Sequence, residues 1–114
     1  MSRRDDRVSV RQMLDHAQRG CAMAHGRRRE DLDSDYEFQL AMTRLVEIIG
    51  EAASRVSRPT RDKHPDIPWS DIVGMRNRLI HGYDVVDLNL LWDTVSTDLP
   101  PLIEALAAIV GEAQ

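Results

Sequence analysis

From Tyr36 to Val56 the apolar residues keep a helical period over an arc too wide for a single neighbour to cover. Ala41, Leu45, Ile48, Ala52 and Val56 form one stripe, and Met42, Val46, Ile49 and Ala53 run beside it. A helix with two adjoining apolar faces has to be central. The small residues of Gly50-Glu51-Ala52-Ala53 would let another helix approach closely. Intramolecular core and the seam of a dimer are both open as the cover. The chain is 42% hydrophobic but only 4% aromatic, so its core must be built from Leu, Ile, Val, Ala and Met. No segment sustains period-two alternation, and the expectation is an all-α fold with essentially no sheet.

A length of 114 residues suits one domain spanning 1–114. Val10, Leu14, Ala17, Cys21 and Ala24 line one face of a first helix over about residues 5–26. Residues 27–35, with Arg27-Arg28-Arg29 and Asp33-Ser34-Asp35, have no apolar period and read as a solvated connecting loop. Ser57-Arg58-Pro59 suggests a short helical turn. A further helix can begin at Pro68-Trp69, with Asp71 in its first turn, Ile72, Met75 and Leu79 on its buried edge, and Gly82 placed to end it. Residues 82–87 then form a second connecting loop. Asp87 can cap a helix carrying Leu88, Leu91, Trp92 and Val95, and Pro100-Pro101 should break or kink the chain before Leu102, Leu106 and Ile109 restore the period.

A single cysteine, Cys21, allows no internal disulfide and no cysteine-rich zinc site, which fits a reducing cytoplasm. No apolar run reaches the roughly 18 residues of a membrane span, and the first residues are polar, so the chain is read as soluble and unexported. The net charge of −4 argues against a general nucleic-acid binder. Its distribution is uneven. Residues 1–54 carry nine Arg against ten acids, residues 55–81 six Lys or Arg against three, and residues 82–114 six acids and no base.

The basic middle ends in Arg76-Asn77-Arg78-Leu79-Ile80-His81-Gly82-Tyr83. On an ideal helix Arg76 and His81 stand about 140° apart, whereas Asn77 and His81 are i,i+4 neighbours. A two-fold copy of the helix could bring one chain's Arg to the other's His. These residue types suit RNA cleavage: imidazole can take the 2′-hydroxyl proton and return one to the leaving oxygen, while guanidinium stabilises the charged phosphorane. That scheme requires no metal, and His16, His25, His64 and His81 show no recognisable metal-ligand spacing. The same residues would equally serve as a plain helix end, with bases complementing the dipole and a tyrosine over the turn.

The segment resembles the R-x-x-x-x-H-x-Y signature of HEPN domains. Leu45-Val46-Glu47-Ile48-Ile49-Gly50-Glu51-Ala52-Ala53, Pro68-Trp69, Ile72-Val73-Gly74-Met75, Leu91-Trp92 and Asp98-Leu99-Pro100 are similar to its HepT-like branch, over roughly residues 5–110. The resemblance implies an antiparallel bundle of four to five main helices, paired as a homodimer with both signature helices lining a cleft. It implies a ribonuclease toxin beside a minimal nucleotidyltransferase antitoxin. Arg76 and His81 match the catalytic pair, Asn77 its polar neighbour, and Tyr83 the tyrosine that receives AMP. Added phosphate there would repel RNA phosphate. Arg78, in the same basic stretch, is a candidate RNA contact. Local capture of phosphate by this stretch favours cutting of exposed RNA over tracking along a duplex. The competing readings are a non-catalytic HEPN module that binds nucleotides or a partner, and a purely structural dimerisation role.

Overall fold

A computed structural model describes residues 3–81 and 85–112, with Arg3, Arg4, His81 and Glu112 described by backbone alone. The elements in order are α1 (Arg3–Ala24), α2 (Asp31–Ser34), α3 (Tyr36–Ser54), α4 (Arg58–Lys63), α5 (Trp69–Leu79), β1 (Ile80–His81), β2 (Val85–Val86), α6 (Leu88–Asp93), a π-helical turn (Thr94–Asp98) and α7 (Leu99–Glu112). The fold is all-α, and its sheet content among the described residues is one minimal hairpin.

Helix α3 is the central element that its apolar arc demands, packed against α1 on one side and α5 on the other. Met42, Leu45, Val46, Ile49, Ala52 and Ala53 are among its buried residues, while Ala41 and Ile48 are half-buried at the edge. Helices of the same chain therefore cover most of the wide stripe. At Gly50 α5 comes close: a Cβ there would stand 3.0 Å from the Ile72 carbonyl oxygen. In α1, Val10, Met13 and Ala17 form the buried centre, and Leu14 and Cys21 fall to its edge.

Buried polar contacts fasten the helix ends. Asp6 in α1 accepts hydrogen bonds from the Ser57 amide at 2.9 Å, the Thr60 hydroxyl at 2.6 Å and the Ser57 hydroxyl. Burial pushes the Asp6 pKa upward, but these donors outweigh it and hold the carboxyl below its usual range. Arg61 donates to the carbonyls of Ala53 at 2.9 Å and Val56 at 3.0 Å, tying α4 to the chain at the end of α3.

The connection over 27–35 is more built than its composition suggests. Asp35 caps α3 by accepting from the Phe38 amide at 3.1 Å, and Arg27 bonds Asp35 at 2.9 Å while lying 4.0 Å over the Phe38 ring. Leu32, on the single turn of α2, is buried beneath them.

Two expected boundaries are corrected. Pro100-Pro101 does not break the chain, because the prolines sit in the first turn of α7 behind the π-helical turn. The Leu99 amide bonds the Thr94 carbonyl, a five-residue step that accommodates the missing proline donors. Helix α5 stops at Leu79, before His81. Ile80 is extended, Ile80 pairs with Val86 and His81 with Val85, and the Asp87 amide donates to the Leu79 carbonyl at 2.8 Å. The β-branched Ile80, Val85 and Val86 favour this ribbon over another helical turn. Gly82, the expected stop, lies outside the described residues, and β2 occupies part of the expected 82–87 loop.

Candidate functional site

Ile72, Met75 and Leu79 turn α5 toward the core and so decide where its polar residues point. Asn77 is exposed on the outer face, and Arg76 and Arg78 fall on opposite flanks, about 200° apart around the axis. Arg76 Nε donates to Glu47 Oε2 of α3 at 3.0 Å. The pair is lopsided, with the Arg76 side chain 59% exposed and Glu47 only 16%. Arg78 folds back along its own helix: Nη2 donates to the Asp71 carbonyl at 2.9 Å, and Nη1 lies 3.4 Å from the Asp71 carboxylate. Arg76 and Arg78 are thus only two positions apart in sequence but lie on different flanks of α5.

His81 is placed by its backbone on β1, beyond the end of α5. The i,i+4 helical relation expected between Asn77 and His81 is not formed, since the chain is already extended at Ile80. Arg76 and His81 therefore belong to different elements, one fixed by helix packing and the other by the hairpin. Tyr83 lies outside the described residues.

Glu47 is the site residue that sequence reasoning passed over. Its signal was available: a lone acid inside the apolar run Leu45-Val46-Glu47-Ile48-Ile49. The basic stretch is also less uniform than its count suggests. Arg61 is committed to the carbonyls of Ala53 and Val56, and Arg55 reaches Gln12 at 3.5 Å, whereas Arg58 and Lys63 are exposed on α4.

A cavity of about 450 Å³ opens on the Arg78 flank of α5, floored by Val46, Ile49, Ile72 and Met75. Asp71 and Asp98 are on its lining with Arg78, and Arg76 and Asn77 are not. Burial, then repulsion from Asp93, raises the Asp98 pKa, and Arg78 offsets part of that rise. An acidic lining is a poor host for phosphate, so the exposed Arg76 flank is the better candidate surface. Among the described residues no group of three or more His, Cys, Asp or Glu is placed to hold a metal ion, and no helix is long and apolar enough to cross a membrane.

A family profile described as Ribonuclease HepT-like matches residues 13–109. The "Probable ribonuclease HepT" of Thermococcus cleftensis is 44% identical over 73 residues, which are 64% of this chain and 66% of that protein, just under two thirds of its length. The "Putative RNase TTE0752" of Caldanaerobacter subterraneus is 37% identical over 81 residues, 71% of this chain and 72% of that one. The "Putative RNase MJ1380" of Methanocaldococcus jannaschii is 33% identical over 102 residues, 90% of this chain and 94% of that one. No solved structure gives a significant match. The family match runs from α1 into α7 and encloses Glu47, α5 and the hairpin, and on that ground the chain belongs to the HepT-like family of HEPN proteins.

Proposed function

We propose that this protein is a metal-independent endoribonuclease toxin acting on cytoplasmic RNA. The observation that carries the reading is the exposed guanidinium of Arg76 near the end of α5, five residues before His81, in a HepT-like chain. Neutral His81 would take the 2′-hydroxyl proton and, once protonated, give one to the leaving oxygen. Arg76 would stabilise the charge that gathers on phosphorus. Asn77, exposed beside Arg76, would contact substrate rather than act through a shared helical turn with His81. Arg78, on the far flank, is assigned an outer contact to the RNA backbone.

The active form is a homodimer in this reading, with the two α5 helices facing each other across the cleft. Its support is apolar exposure on the elements around Arg76: Tyr36 and Leu40 share the Glu47 face of α3, and Val73 on α5 and Val85 on β2 are also open. A minimal nucleotidyltransferase would attach AMP to the Tyr83 hydroxyl, two residues from His81. The added negative charge and bulk would then exclude RNA.

Unmodified protein should cut RNA in EDTA, and Arg76→Ala and His81→Ala should each lower the rate by about 100-fold or more. Folded variants that cut as fast as the parent would refute the assignment. The ion pair already made by Arg76, together with the net charge of −4, favours one competing reading, a regulatory module that binds nucleotides or a partner. That reading requires binding without any cleavage by the unmodified protein.

A further inference from the structure

Arg76 and Arg78 are held in opposite ways, and the difference decides what each can offer a phosphate. Arg78 uses its terminal nitrogens on Asp71. Arg76 uses Nε on Glu47, at 3.0 Å, and has no second hydrogen-bond partner among the described residues. A guanidinium gripped at Nε still has both terminal nitrogens, the pair whose planar fork matches two phosphate oxygens.

The grip is anchored on the Glu47 side. Glu47 is largely covered and sits between Val46 and Ile48, whereas most of the Arg76 side chain is open. One turn along α3 lies Gly50, and one turn back along α5 lies Ile72, whose carbonyl oxygen would stand 3.0 Å from a Cβ at Gly50, so the two helices are in close contact there. The carboxylate therefore stands on a rigid frame and the guanidinium is the movable partner. An ion pair this exposed adds little to folding stability, and its negative charge works against attraction of RNA. Orientation is the benefit left.

We propose that Glu47 is a positioning residue for RNA cleavage: its carboxylate holds Arg76 by Nε and turns the two terminal nitrogens outward to meet the phosphate. This rests on the ribonuclease reading of Arg76 and adds a residue to it. An aligned guanidinium matters most in the transition state, so loss of Glu47 should appear in kcat more than in KM.

The experiment compares steady-state cleavage of a fluorogenic RNA by the full chain and by Arg76→Ala, Glu47→Ala, Glu47→Gln and the double alanine variant, each checked by thermal melting. Glu47→Ala should lose about 10-fold or more in kcat with KM changed by less than about threefold. The double variant should cleave no more slowly than Arg76→Ala, because Glu47 acts only through that side chain. Glu47→Gln keeps an acceptor for Nε but loses its charge, and its kcat should fall between the parent and Glu47→Ala.

An inactive Arg76→Ala beside a fully active Glu47→Ala overturns the proposal and leaves the ribonuclease reading standing. So does a double variant in which the two losses multiply. An Arg76→Ala protein as active as the parent overturns both. If Glu47→Ala does not fold, Glu47→Gln decides, and a kcat equal to the parent's overturns the proposal.

Discussion

The same chemical change, glycine to alanine inside a helix, should move stability in opposite directions at Gly50 and Gly74. Added to a helix interior with open space around it, a methyl group stabilises by about 1 kcal/mol. Gly74 in α5 meets that condition, since its Cβ would find nothing within 4 Å. At Gly50 the Cβ would lie 3.0 Å from the Ile72 carbonyl oxygen, and that oxygen belongs to helix backbone, so a whole segment of α5 would have to retreat. Overpacking of this kind costs about 1–3 kcal/mol, which leaves Gly50→Ala roughly 1 kcal/mol less stable after the propensity gain. The two variants should therefore differ by about 2 kcal/mol. For a chain of 114 residues this is roughly 8 °C in melting temperature. Circular dichroism melts at one fixed protein concentration measure it, because any self-association would otherwise shift both curves. If both variants melt higher than the parent, Gly50 does not set the spacing of α3 and α5. The frame proposed for Glu47 and Arg76 then loses its basis.

Two carboxylates should pull stability in opposite directions with pH. Asp6 has a folded pKa below its unfolded value of about 3.9, so its contribution is present above that pH and disappears as pH falls through the folded value. Asp6→Ala should cost about 2–3 kcal/mol in urea unfolding at pH 7, and progressively less below about pH 4. Asp98 has a raised folded pKa, so the stability its protonated form provides is present below about pH 3.9 and is lost as pH rises through the folded value. Asp98→Asn should accordingly be more stable than the parent at pH 7 and no different at about pH 3; a variant less stable at neutral pH would refute that environment.

The helices were legible where one physical cause acted alone. The period of Met42, Val46, Ile49 and Ala53 placed α3 at the centre, and Gly50 announced the close approach of α5. The end of α5 was harder to read, because Gly82 supplied an obvious stop while Ile80, Val85 and Val86 supplied a weaker strand signal that tertiary pairing made decisive. The connection at 27–35 looked solvated because its partners, Phe38 and Asn89, lie outside the segment itself. For the site, the motif identified Arg76 and His81 by residue type and order. It could not show that they stand on different elements, nor that Glu47, 29 residues earlier in the chain, holds Arg76.

The π-helical turn also sets the phase between the last two helices. On an unbroken α-helix, Leu88 and Leu91 would line up with Leu102, Leu106 and Ile109, and both groups would face the same way. Five residues wound more loosely, at roughly 80–85° each instead of about 100°, rotate the second group by about a quarter turn. Helix α6 can then rest on α2, α3 and α5 while α7 turns its apolar residues to α1. The segment works as a vernier of one residue: shortening it by one would restore α-helical winding and swing the whole α7 stripe off α1.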